Sequence, residues 1–287
     1  MKKHVDLRID DEIALITMDS PPANAFTDAL HQDFVRVLQE LRSRRVRAAI
    51  ITGTGRFFQA GGDMSRFLQI DSLDQAKRFV EMAQGFIDEI AAVPYPTIAA
   101  INGFALGGGL EMALACDLRV ASSSAVLGLP EVRYGILAGA GGTQRLSRLI
   151  GTGRAKLLMY SGRQIGAEQA RELGLVEQVT EPERLIAECY ALAREIGANS
   201  PAAVRNVKKC VDEGIDLPLG EGLALERRYW AELIPHGDYR EGVKAWQEKR
   251  KPQFHCPEPP PHPGSPRAES ETEPGDDADW NSGQGGN

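Results

Sequence analysis

The spacing of apolar positions changes repeatedly along the chain, and each change marks an element. Val5 to Met18 alternates apolar with polar residues and is rich in β-branched side chains, which predicts a β-hairpin with Asp10-Asp11-Glu12 as its turn. Pro21-Pro22-Ala23-Asn24 interrupts the pattern as a loop. From Asp28 to about Arg44 the period becomes helical. Leu30, Phe34, Val37, Leu38 and Leu41 fall on one face, and Thr27 stands at the expected N-cap. The apolar run Ala48 to Thr52 reads as a buried strand. Leu73 to Val93 is again helical and stops before Pro94 and Pro96, because the residue preceding a proline disfavours helical backbone. Thr97 to Ile101 is a second buried strand, and a helix opens by Glu111 and runs to Ala115. Leu118 to Ala121 and Val126 to Leu129 predict short strands around a Ser-rich turn. Helices are expected at Thr143 to Ile150, Ala155 to Tyr160, Gly166 to Leu173 and Pro182 to Ala198, with a strand at Val176 to Val179.

Strands that alternate with helices predict an α/β fold with crossover connections. From about Ser200 the strand signal stops. Pro201 to Glu213, Gly220 to Glu232 and Tyr239 to Glu248 read as helices, so residues 1–199 form an α/β core and 200–254 a smaller helical region. No internal repeat is visible in the sequence. After Phe254 the composition shifts to Pro, Gly, Ser, Asp and Glu. A segment of that kind buries too little apolar area to offset its ordering entropy, so 255–287 is expected to be a disordered tail. Trp280 is its one large aromatic, and a short interaction motif there is the alternative.

With 287 residues, 42% of them hydrophobic and 25% charged, the chain can form an ordinary globular core. The net charge of −7, without a basic run interleaved with aromatics, argues against nonspecific nucleic-acid binding. No apolar run reaches the roughly 20 residues that span a bilayer. The residues after Lys2 and Lys3 lack an apolar signal core, so secretion is not expected. Cys116, Cys189, Cys210 and Cys256 are far apart and form no CxxC pair, and the five histidines do not cluster. Neither a metal site nor a disulfide framework is expected, and a reducing, cytoplasmic location fits.

Three segments carry candidate chemistry. The strand ending at Ile101 leads through Asn102-Gly103-Phe104-Ala105-Leu106 into Gly107-Gly108-Gly109-Leu110-Glu111. Consecutive glycines turn the backbone sharply and leave amide N–H groups uncovered, and a helix N-terminus adds unpaired donors and partial positive charge. Such a place holds an anion, including an oxyanion formed only during reaction. Taken alone, the segment fits equally well a plain tight turn with an N-terminal helix charge. A second Gly-rich strand end is Phe57-Phe58-Gln59-Ala60-Gly61-Gly62-Asp63. A third segment, Leu129-Pro130-Glu131 with Gly135 and Gly139-Ala140-Gly141-Gly142-Thr143-Gln144-Arg145, adds another carboxylate.

In that order and spacing, the motifs resemble the crotonase superfamily, the enoyl-CoA hydratase/isomerase family, over roughly Val5 to Phe254. The resemblance implies a spiral of ββα units followed by C-terminal helices that build trimers, which pair into hexamers. It implies an acyl-CoA thioester as substrate, no separate cofactor, and a place in fatty-acid β-oxidation. Gly62 and Gly108 correspond to the backbone donors of the oxyanion hole, and Glu111 and Glu131 to the two acids. Relatives that keep both acids tend to be hydratases, which add water syn across trans-2-enoyl-CoA to give 3-hydroxyacyl-CoA. Water activation falls mainly to Glu111 and proton transfer at Cα mainly to Glu131. Ala60, Gly61, Gly62, Asp63, Met64 and Ser65 correspond to the edge of the CoA site, with Gly108 and Gly139 also facing substrate. Met82, Phe86, Tyr134 and Leu137 are candidates for the acyl pocket. Glu248 to Phe254 matches a C-terminal signature whose basic residues reach CoA phosphates and whose Phe254 covers the acyl pocket; a solvated basic helix end fits those residues equally. The chain departs from the family pattern at Gly62, where many relatives have alanine, at Ala138, often proline, and at Ser65, a lysine in some. Other readings on the same scaffold are an isomerase, a dehydratase, a thioester hydrolase, or a non-catalytic acyl-CoA or RNA-binding relative.

Overall fold

The structure, a computed structural model, describes residues 3–256. β1 (Val5–Asp10) and β2 (Ile13–Met18) form the expected antiparallel hairpin, with Asp10 opposite Ile13. Asp11 and Glu12 make the turn with φ of 49° and 62°, as a two-residue type I′ turn requires. In α1 (Asp28–Leu41) the Thr27 hydroxyl accepts the Leu30 N–H at 3.2 Å, and the five apolar residues of the predicted face are all buried. The helix stops at Leu41 rather than near Arg44. Its apolar face ends there, and Arg42, Ser43 and Arg44 tighten into i→i−3 bonds.

The chain then repeats a unit. β3 (Ala48–Gly53) and β4 (Phe57–Gln59) lead through a short helix α2 (Met64–Phe67) to α3 (Leu73–Ala91). β5 (Thr97–Ile101) and β6 (Phe104–Leu106) lead to α4 (Gly108–Ala115). β7 (Leu118–Ser122) and β8 (Val126–Gly128) lead through a 3₁₀ turn, Glu131–Tyr134, to α5 (Gly142–Ile150). The first strand of each pair joins one sheet and the second strand another. The larger sheet has the order β1-β2-β3-β5-β7-β10 and the smaller β4-β6-β8-β9. Each unit therefore advances both sheets by one strand, which is the spiral of ββα units that the resemblance implies. The remaining core elements are α6 (Thr152–Ser161), β9 (Gln164–Gly166), α7 (Ala167–Glu172), β10 (Gln178–Thr180) and α8 (Leu185–Gly197). β10 begins two residues after the predicted start and ends one residue after the predicted end; Val176 is buried in the core, but pairing with β7 starts only at Gln178.

The larger sheet is parallel from β2 through β10 and covered on both sides, so its strands are continuous apolar runs. In β3, Ala49 and Ile51 face the main core with Phe34, Phe58 and Phe86, while Ala48 and Ile50 face Leu185, Cys189 and Ala193 of α8. The C-terminal helices are α9 (Pro201–Gly214), α10 (Leu219–His236) and α11 (Asp238–Gln247). Lys208 joins them to the core through Asp117, 2.5 Å away. Arg47, at the start of β3, donates to the carbonyls of Gly197 and Phe254, each at 2.7 Å, and pairs with Glu12. Val211, Ile215, Leu219, Trp230 and Trp246 remain exposed on the single chain. Cys256 is buried, its Sγ 3.9 Å from the Val46 carbonyl, so the packed chain continues two residues past Phe254. Trp280 and the rest of the segment from Pro257 lie outside the described residues. Among those described, no helix is long and apolar enough to cross a membrane.

Candidate active site

The Gly-rich turn after β6 is built by close approach. Gly107 caps α4 with φ 54° and ψ −125°, a conformation open to glycine and costly for other residues. A Cβ on Gly109 would lie 2.0 Å from the Gln59 carbonyl oxygen, so only glycine lets α4 start against β4. The helix therefore begins at Gly108, earlier than its side chains suggest, and the Gly108 N–H has no acceptor within the helix. The second Gly-rich strand end packs beside it. A Cβ on Gly108 would lie 3.9 Å from the Gly62 nitrogen. The two amides thus come from neighbouring strands of the smaller sheet and meet at one place.

Gly62 and Gly108 both line a cavity of about 810 Å³ that Glu111 and Glu131 also line. Phe26, Phe67, Phe79, Val80, Ile87 and Leu137 are among the residues of its apolar wall, and Gly139 and Gln84 also line it. Leu137 is where the sequence suggests. Met82, Phe86 and Tyr134 do not line this cavity. Phe86 packs toward α1 in a layer behind that wall, where its ring meets Phe26 at 4.8 Å and Phe34 at 5.3 Å. Ala60, Gly61, Asp63, Met64 and Ser65 lie beside the cavity in sequence but outside its lining. Asp63 instead caps α2, accepting the Ser65 N–H at 2.9 Å and its hydroxyl at 2.8 Å. In the C-terminal signature, Arg250 holds Glu241 through two bonds of 2.6 and 2.9 Å, and neither Arg250 nor Phe254 lines the cavity of its own chain.

The two carboxylates have different surroundings. Glu111 is only 3% exposed. Its Oε1 accepts the N–H groups of Ala140 and Gly142, at 2.7 and 2.8 Å. Burial raises its pKa above the ordinary carboxylate value, while those two bonds and the Arg145 charge oppose the rise. Glu131 follows Pro130, and its Oε1 lies against Gly107, 3.1 Å from where a Cβ would be. Its Oε2 is buried without a partner among the described residues. Burial pushes the Glu131 carboxyl up to about 7, and the Glu111 charge adds to this. One acid is therefore braced by fixed donors, and the other exchanges a proton near neutrality. Two environments that differ in this way suit a base and an acid acting on one substrate.

Comparisons with known proteins agree with this arrangement. The family model described as enoyl-CoA hydratase/isomerase matches residues 8–257. The putative enoyl-CoA hydratase/isomerase YngF of Bacillus subtilis is 46% identical over 245 residues, covering 84% of this chain and 94% of that protein. The short-chain-enoyl-CoA hydratase of Clostridium acetobutylicum is 37% identical over 251 residues, covering 86% and 96%. The crystal structure of an enoyl-CoA hydratase from Bacillus anthracis superposes with a TM-score of 0.84 at 38% identity, covering 88% of this chain and all of that one.

Proposed function

This chain belongs to the enoyl-CoA hydratase/isomerase family, and on that premise we propose that it hydrates trans-2-enoyl-CoA thioesters by syn addition of water, giving 3-hydroxyacyl-CoA. The observation that carries the reading is the pair of acids on one cavity beside two converging amides, one acid braced and the other titrating near 7. The Gly62 and Gly108 N–H groups hold the thioester oxygen. As water adds at Cβ, negative charge moves onto that oxygen, and each donor is worth roughly 3–4 kcal/mol of barrier. Glu111 orients the water and takes its proton. Protonated Glu131 gives a proton to Cα. Delivery of both from one side of the double bond is syn addition, and proton transfer from Glu111 back to Glu131 resets the pair. The chemistry needs no cofactor beyond the CoA of the substrate.

The apolar wall formed by Phe26, Phe67 and Phe79 suits an acyl chain. The apolar residues exposed on α9, α10 and α11 favour a homotrimer or a hexamer of two trimers. The four cysteines are free thiols, which suits a cytoplasmic protein.

A panel of acyl-CoA thioesters tests the reading. Crotonyl-CoA and longer trans-2-enoyl-CoAs are expected to lose the absorbance of the conjugated thioester and to gain the mass of water. Turnover of 3-enoyl-CoA alone, without that gain, would assign an isomerase. Binding without turnover of any member would assign a non-catalytic acyl-CoA binder.

A further inference from the structure

We propose that Gln84 is a positioning residue for Glu111, and that it acts by holding the Gly139–Ala140 peptide plane in one orientation. The inference rests on the reading of Glu111 as the group that activates water. Gln84 lies on α3, and its Nε2 donates to the Gly139 carbonyl oxygen at 2.8 Å. That carbonyl and the Ala140 N–H belong to one planar peptide unit and point in opposite directions. Holding the carbonyl toward α3 therefore aims the N–H at Glu111 Oε1, which it reaches at 2.7 Å.

The next two peptide planes are held differently. Arg145 Nη1 donates to the Ala140 carbonyl at 3.2 Å, and Arg145 is itself paired with Asp88 of α3 at 2.7 Å. The Gly141 carbonyl accepts the N–H groups of Gln144 and Arg145, at 3.1 and 2.8 Å. The first turn of α5 thus fixes the Gly142 N–H. Of the two donors to Glu111, one is secured by a helix and the other by a single glutamine from α3. Without that glutamine the Gly139–Ala140 plane is free to turn over. Its carbonyl oxygen would then face the carboxylate, and repulsion between two acceptors would favour the protonated, inactive form of Glu111.

Gln84→Met keeps the side-chain length and the helix while deleting the donor. The site is exposed, so stability should hardly change. The expected result is a fall in kcat of about 10- to 100-fold, the size of a lost hydrogen bond to a charged group. KM should move less than about 3-fold, and the acidic limb of the kcat profile should move up by about one pH unit. In the double variant with Glu111→Gln, loss of Gln84 should cost nothing further, because there is no carboxylate left to orient. A Gln84→Met enzyme with wild-type kcat and pH profile overturns the proposal, as does an additive loss in the double variant. A Glu111→Gln enzyme at full rate would instead overturn the role given to Glu111 itself.

Discussion

Replacing Glu131 with glutamine should make the protein more stable while it loses activity. In the folded chain the carboxyl titrates at about 7 against an ordinary value of 4.5, and burial is the main cause. The folded state thus binds the proton more tightly than the unfolded state. Between these two values the folded protein holds more protons, so its stability falls as pH rises through the interval. Above about pH 7 both states are ionised, and the whole cost of burying the charge is present. Below about pH 4.5 both are neutral and the cost is gone. At about 1.4 kcal/mol per pH unit the cost approaches roughly 3 kcal/mol. Glu131 keeps part of its surface in solvent, which screens this to about 1–2 kcal/mol. Glutamine has nearly the same shape and no charge. Glu131→Gln should therefore raise Tm at pH 8 by a few degrees, with the gain shrinking toward zero by about pH 4.5. Melts of both proteins at matched concentration across this range measure it. The same variant should lose about 10²- to 10⁴-fold in kcat. A variant no more stable than wild type at pH 8, or one stabilised equally at every pH, would refute the argument that burial sets this carboxyl's affinity for protons.

Gly108→Pro removes the N–H assigned to the oxyanion hole and should abolish turnover; retained turnover in a folded variant, judged by circular dichroism, would place the hole elsewhere. Truncation after Cys256 should leave Tm and kcat/KM nearly unchanged, and a large loss of either would mean that later residues pack on the core. Sedimentation of the full chain should give a trimer or hexamer, and a monomer at micromolar concentration would contradict the role given to the exposed faces of α9, α10 and α11.

What could be read from the sequence depended on how many residues carried each signal. The face of α1 needed five apolar positions over four turns, and all five are buried. β4, β6 and β9 are three residues long, too short to display a period of two, so the pattern of apolar positions does not mark the smaller sheet. The ββα repeat was hidden as well, because its helices range from the 19 residues of α3 to the 8 of α4. At the site, the ordered glycine and glutamate motifs led to Gly62, Gly108, Glu111 and Glu131, which share one cavity. The acyl wall was harder, since one residue along a helix is a turn of about 100°. Phe86 is buried against Phe34 of α1 while Ile87 lines the cavity. Gln84 carries no local signal: its meaning depends on a loop 55 positions away.

The Arg47 clasp has a consequence for how the molecule is made. One side chain near the start of the chain joins carbonyls 150 and 207 residues further on. Contacts across such separations close large loops and form late in folding. During synthesis, the hairpin and the first ββα units can pair their strands as they emerge, but Arg47 meets only Glu12 until residue 197 has appeared. Its last bond waits for Phe254, two residues before the last described one. A nascent or C-terminally clipped chain therefore carries a complete parallel sheet whose first corner is still unlocked. Proteolytic sensitivity near Arg47 in such chains would reveal this opening at the end of the sequence opposite the missing residues.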